Sequence, residues 1–236
     1  MDVGRRRCRL SSRRAGPDFP LAVSPRPLTV EGVAELVAER IGSLRTAHPV
    51  RVAIDGPPWS GLDLAATTVH ALAAWSRPAS LVRVADYLRP ASLRFERGRD
   101  DPDAFYEDWI DIAGLRREVL EPAGPNGSRL VLPTLWDAER DRASRAEYRE
   151  LPVDGAVIVD GWFLLGAGLA FDLTVHVALS PAARTRRVPP DDAVRELPAY
   201  DRYDAEVRPA EWADIVVRAD DPRRPAVIDR SGAADA

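Results

Sequence analysis

Apolar residues recur at three- and four-residue steps after Thr29 (Val33, Leu36, Val37, Ile41, Leu44), the spacing of one helix face. Thr29 reads as the N-cap, with Glu31 and Glu35 near the positive helix end. Pro49 closes that segment and the period changes: Val50, Val52, Ala53 and Ile54 make a buried strand over Val50–Asp55. The Ala- and Leu-rich stretch Leu64–Trp75 predicts a crossover helix, and Leu81–Ala85 a second strand. Pro102–Leu120 predicts one helix, with Asp101 as cap, Pro102 in its first position and Phe105, Trp109, Ile112 and Leu115 on one face. A turn over Pro122–Gly127 leads to an extended piece, Arg129–Leu132. Ala156–Asp160 and Leu173–Leu179 read as buried strands and Ala213–Val217 as a last short one. Strands alternating with helices predict an α/β fold with a mostly parallel sheet covered on both faces. Residues 1–27 predict a disordered Arg-rich arm, 28–220 one domain and 221–236 a flexible tail.

Composition narrows the chemistry. The chain has 236 residues and a net charge of −4, which makes no general case for nucleic acid as partner. All 33 basic residues are Arg; Gln is absent and Asn126 is the sole Asn, a bias expected of a GC-rich genome. The single cysteine, Cys8, excludes an intramolecular disulfide or a Cys-based metal cluster and suits a reducing cytosol, so the expected location is cytoplasmic. His48, His70 and His176 lack metal-motif spacing and read as structural or surface residues. No apolar run reaches the roughly 18 residues of a membrane-spanning helix, and the basic start lacks the apolar stretch of a signal peptide.

Candidate chemistry sits where the first strand ends. Gly56-Pro57-Pro58-Trp59-Ser60-Gly61 keeps the G-x-x-x-x-G frame of a phosphate-binding loop, in which backbone N–H groups turn toward an anion at a helix N-terminus. A working loop continues with Lys, which reaches the β/γ-phosphates, and Ser/Thr, which holds Mg²⁺. Here Leu62 and Asp63 follow, and no lysine exists elsewhere to replace the missing one. Two roles are open to Asp63: a Mg²⁺ ligand, or an internal acceptor that takes the place of a phosphate among the loop N–H groups. Trp59 is bulky for a surface that wraps phosphates and is a candidate to fill that volume. Val157–Gly161, an apolar strand ending in Asp160 and a glycine, has the form of the strand whose carboxylate organises Mg²⁺.

Taken in order, these motifs resemble the uridine-kinase-like P-loop family. Ile54-Asp55-Gly56-Pro57-Pro58 with Gly61 is similar to its opening, and Asp86-Tyr87-Leu88-Arg89-Pro90 to its Asp-Asp-Phe-x-Arg-Pro segment. Arg97-Gly98 and Tyr106–Asp111 resemble the helix that follows. Pro133, Trp136 and Asp137 resemble its hairpin, Val159–Leu165 its second nucleotide-site strand, and Arg184–Arg187 its arginine-bearing lid. The resemblance runs over roughly residues 50–225. It implies a nucleoside-monophosphate-kinase-like three-layer fold with a five-stranded, mostly parallel sheet, and transfer of the γ-phosphate of ATP, with Mg²⁺, to a nucleoside hydroxyl.

On that resemblance Gly56, Pro57, Ser60, Gly61 and Asp63 hold nucleotide, and Asp160 and Asp63 hold metal. Arg89, Tyr106, Trp136 and Asp137 hold substrate, while Arg184 and Arg187 serve catalysis. The family's catalytic carboxylate falls at Ala85 by direct register, with Asp86 one residue later as its substitute. Clamp lysine, metal hydroxyl and base thus depart together. Sequence alone predicts a kinase scaffold with weak or lost phosphoryl transfer, the alternative being a non-catalytic module that binds a nucleotide, nucleoside or protein partner without a membrane.

Overall fold

The computed structural model describes residues 25–230. Residues 1–24, with Cys8 and the other arginines of the N-terminal arm, and residues 231–236 lie outside the described residues, while Arg26 and Pro27 at the arm's end form a short strand. In chain order the elements begin with β1 (Arg26–Pro27), α1 (Val30–Ser43), β2 (Val50–Asp55), α2 (Leu64–Ala74) and β3 (Ala79–Arg83). Next come α3 (Ala91–Arg94), α4 (Pro102–Glu107), α5 (Ile112–Leu115), β4 (Leu130–Val131), β5 (Trp136–Asp137), β6 (Arg142–Ala143) and β7 (Arg149–Glu150). The chain closes with β8 (Ala156–Gly161), β9 (Leu173–Ala178), α6 (Pro181–Arg187), α7 (Ala193–Glu206), α8 (Pro209–Trp212), β10 (Ile215–Arg218) and β11 (Ala226–Asp229).

The main sheet has the order β1-β11-β10-β9-β2-β8-β3. Its five strands from β10 to β3 are parallel, as expected, but two antiparallel strands extend the edge beyond β10, so the sheet has seven strands rather than five. Alternation along the strands feeds two cores. Val50, Val52, Ile54, Val175 and Val177 pack against Val33, Val37 and Ile41 of α1 and Leu64 and Leu72 of α2. On the opposite face Ala53, Val157 and Val159 meet an aromatic cluster that includes Phe105, Trp109, Phe163, Tyr200 and Tyr203.

Local signals explain most boundaries. Thr29 caps α1 by accepting from the Gly32 N–H at 3.2 Å. Asp101 caps α4 through Ala104 at 2.6 Å. The helix expected over Pro102–Leu120 is divided. Residues 109–111 are drawn into extended pairing with residues 87–89, where the Arg89 N–H donates to Trp109 and the Asp111 N–H to Tyr87, both at 2.8 Å. Asp111 then caps α5, and a π turn carries the chain over Arg116–Leu120. The second strand ends two residues earlier than the pattern predicts, because its pairing with β8 stops at Arg83 and Val84–Tyr87 winds into a 3₁₀ turn. Among the described residues no helix is long and apolar enough to cross a membrane.

Candidate functional site

β2 delivers the glycine loop to the carboxyl edge of the sheet, at the place where neighbouring parallel strands diverge to opposite sides. Gly56 donates its N–H to the Gly161 carbonyl at 2.8 Å. A Cβ at Gly56 would lie 2.8 Å from Val177 Cβ and 3.0 Å from its carbonyl oxygen, so only glycine lets β2 and β9 approach this closely. Gly61 turns the chain at φ +82°, in the left-handed region. Between them the Ser60 N–H closes a turn on Pro57, and Ser60 Oγ accepts from Leu62 at 3.3 Å.

Beneath this loop lies a cavity of about 390 Å³, bordered by Pro57, Gly61, Leu62, Asp63, Arg83 and Asp160 among others. Asp63 stands at the N-cap of α2 but its carboxylate makes no capping bond, so it does not replace a phosphate among the loop N–H groups. Burial raises the Asp160 carboxyl to about 6; Arg83 opposes that rise and the neighbouring Asp63 charge adds to it. Arg83 sits opposite Asp160 in the β3–β8 register and approaches it to 3.7 Å, half exposed, which makes a screened pair. Leu62, in the clamp lysine's place, offers the cavity no charge. Ala85 also borders it, whereas Asp86 does not: its carbonyl receives the Leu135 N–H and its half-buried carboxyl is raised by burial, offset in part by Arg83.

Two of the three lid arginines, Arg184 and Arg187, are committed to the protein itself. Arg187 donates one nitrogen to the carbonyls of Ser60 (2.6 Å) and Ala219 (2.8 Å) and another to that of Asp220 (2.8 Å). Arg184 is buried against Asp204 and lies 3.5 Å from Asp201 on α7. Trp59 points away from the cavity instead of filling it: its indole N–H donates to Glu196 at 2.6 Å and its ring meets Tyr200 edge-on at 5.4 Å. Pro189 and Pro190 separate α6 from α7, as their rings and missing donors require.

The substrate-side residues are dispersed. Arg89 bonds the Asp108 carbonyl and carboxylate, both at 3.3 Å, and Arg97 adds a 2.8 Å contact to the same acid. Tyr106 packs against Phe163 at 5.0 Å with Arg202 over its face, and burial and Glu206 raise its phenol. The expected hairpin forms from β5 and β6, but Trp136 donates to Asp141 and Asp137 accepts twice from Arg140 within the same turn. None of these four borders the cavity beneath the loop.

One buried network escaped the sequence pattern. Asp55, fully buried, accepts from the Leu164 N–H at 2.9 Å, the Tyr203 hydroxyl at 3.0 Å and His176 Nδ1 at 2.7 Å. Asp55 and His176 are direct register partners on β2 and β9, and a polar residue between Val175 and Val177 was the available signal.

No family model and no curated protein sequence matches the chain. Solved structures do. A possible uridine kinase from Bacillus stearothermophilus superposes with a TM-score of 0.62 at 19% identity, covering 78% of this chain and 96% of that one. A candidate fructose transport system kinase from Silicibacter sp. TM1040 gives 0.55 at 22% identity over 75% and 95%. The strand order and these likenesses show the P-loop kinase fold.

Proposed function

We propose that this chain is a uridine-kinase-like P-loop protein in which ATP-dependent phosphoryl transfer to a nucleoside or similar hydroxyl is weak or lost. One observation carries the reading: Asp63 and Asp160 border the cavity beneath the loop with Arg83 as its basic side chain, while Arg184 and Arg187 are bonded elsewhere. Two carboxylates suit a hard divalent cation, which takes oxygen ligands. The phosphates of ATP fit poorly. Phosphoryl transfer works by positioning and by neutralising charge on the transferring group, and here a carboxylate and a leucine stand where the loop should supply a hydroxyl and an ammonium. At about 4 Å and an effective dielectric near 20, each misplaced unit charge is worth about 4 kcal/mol before solvent screening.

A non-catalytic role, holding a nucleotide or a protein partner, is the second reading. It is favoured by the way Trp59–Glu196 and Arg187–Ser60 hold the loop in shape from within. Titrating ATP with and without Mg²⁺ and assaying nucleosides for phosphorylated product tests both. The expectation is binding weaker than about 1 mM and no product. Tight Mg·ATP binding with turnover that disappears in Asp160→Asn would overturn the weak-or-lost assignment.

A further inference from the structure

A second, larger cavity of about 530 Å³ opens on the other side of Gly56 and Pro57, over the sheet face that carries α7 and α8. Its size falls in the range of small-molecule sites, which are mostly apolar with a few convergent polar groups. Its walls fit that description: the rings of Tyr200 and Tyr203 on one side, Pro181 and Pro209 on others, and Ala178 in the floor.

Two polar groups enter from the floor. Side chains on one strand alternate between faces, so with Val175 and Val177 packed in the α1/α2 core, His176 and Ala178 face the cavity. β10 runs parallel beside β9, with Val216 opposite His176 and Arg218 opposite Ala178. His176 and Arg218 therefore rise from the same face of adjacent strands, two residues apart along the strand direction.

Their bonding is complementary. The Asp55 carboxylate can only accept, and it already receives Tyr203 and Leu164, so the network assigns the ring hydrogen of His176 to Nδ1. That leaves Nε2 without a partner among the described residues and, in the neutral ring, as an acceptor. Arg218 is exposed, and its guanidinium has no hydrogen-bond or ion-pair partner among the described residues. Every acid at the rim, by contrast, is engaged: Asp204 with Arg184, Glu211 with Arg208 at 3.2 Å, and Asp220 with the Ser180 N–H at 2.8 Å.

We propose that this cavity binds a small ring-bearing hydroxy acid, its hydroxyl donating to His176 Nε2 and its anionic group paired with Arg218. A guanidinium recognises carboxylate and phosphate alike through charge-assisted hydrogen bonds. The orienting carboxylate behind the imidazole fixes which nitrogen faces the ligand. The site is separate from the cavity that holds Asp63 and Asp160 and does not depend on the state of kinase chemistry there.

The test uses the whole chain and 4-hydroxybenzoate as probe, with 4-hydroxyphenyl phosphate as the phosphate arm. Benzoate lacks the hydroxyl and phenol lacks the anion. The sequence holds three histidines, so the imidazole Cε1–H signals are few and His176→Gln assigns the one of interest. The expected result is saturable movement of that signal with Kd near or below about 1 mM, and about tenfold weaker binding of benzoate and of phenol. Arg218→Ala, a surface change that leaves the core untouched, should weaken the probe about tenfold. The stronger of the two anionic arms identifies the anion. An unmoved His176 signal with both probes, or unchanged affinity in Arg218→Ala, overturns the proposal. So does phenol binding as tightly as 4-hydroxybenzoate, or competitive displacement of the probe by ATP, which would make this cavity an extension of the nucleotide cleft.

Discussion

Gly56 and Pro57 border two cavities that differ in the polar groups they leave unpaired. Toward β8 and β3 the residues that emerge are Asp63, Asp160 and the partly neutralised Arg83. Toward α7 stand three arginines and three acids, and among the described residues the His176 Nε2 and the Arg218 guanidinium are without partners. The first is where this fold performs phosphoryl transfer when a lysine and a hydroxyl follow the loop; the second owes its polarity to alternation on β9 and β10. A phosphate loop ordinarily finds partners for its N–H groups in a bound anion. Here Arg187, Trp59 and the Gly56–Gly161 bond brace it from the protein side. The difference teaches that retention of the loop's shape and retention of its chemistry are separable, because different residues carry them.

Asp55 immediately precedes Gly56, which borders both cavities, and holds His176 from behind, so its removal is the strongest way to break the comparison. Asp55→Ala would leave the Leu164 N–H, the Tyr203 hydroxyl and His176 Nδ1 buried without an acceptor, at a cost of about 3–5 kcal/mol. Urea unfolding should show that loss as a lower midpoint at unchanged slope. A change below about 1 kcal/mol would mean that the network does not hold the strand ends together.

Asp160→Asn addresses the acidic side alone. Its folded-state pKa, raised to about 6, lies above the ordinary value of 3.8. The fold therefore favours the protonated form, and this contribution is complete below about pH 4 and lost as pH rises through about 6. Wild-type stability should fall by on the order of 2–3 kcal/mol across that window from this group, and the variant should lack the slope. At pH 8 the variant should be the more stable protein, since the Arg83 pair it forfeits is screened. Equal pH profiles for the two proteins would show that Asp63 and burial do not act on Asp160 as described.

The loop sequence offers a gain-of-function comparison. Leu62→Lys with Asp63→Ser should strengthen ATP binding by about 10–100-fold in a Mg²⁺-containing titration, since it restores one cation and removes one anion at a partly solvated site. Unchanged affinity would mean that something other than these two side chains closes the phosphate cavity.

How much of this was visible beforehand depends on distance along the chain. α1 with its Thr29 cap, β2 and the glycine turn were legible because period, cap chemistry and breakers all act within a few residues. The break after α4 was not, because Asp108–Asp111 looks helical until the Tyr87–Arg89 segment pairs with it. β11 was missed for a similar reason: Ala226–Asp229 is a short run after Pro225, and its partner β10 supplies the reason for it to extend. In the site, composition revealed the missing lysine at once. The fate of Arg184 and Arg187 was hidden, since an arginine reads the same whether it faces a phosphate or a ring of carbonyls. Likewise His176 gave no sign of Asp55, which lies 121 positions earlier in the chain.

The smallest expected effect tests the brace itself. Trp59→Phe keeps a ring against Tyr200 but deletes the donor to Glu196, a buried acid whose carboxyl burial raises and the Trp59 bond lowers. Losing that bond pushes Glu196 up further, so the penalty applies to the ionised form. It should be about 1 kcal/mol at neutral pH and shrink as the solution is acidified and Glu196 protonates in both proteins. Amide hydrogen exchange gives the local counterpart: the Ser60 and Gly61 N–H groups should exchange faster in the variant, while α1, which packs on the opposite sheet face, should not change. If the loop amides keep their protection, Arg187 and the Gly56–Gly161 bond brace the loop without Trp59.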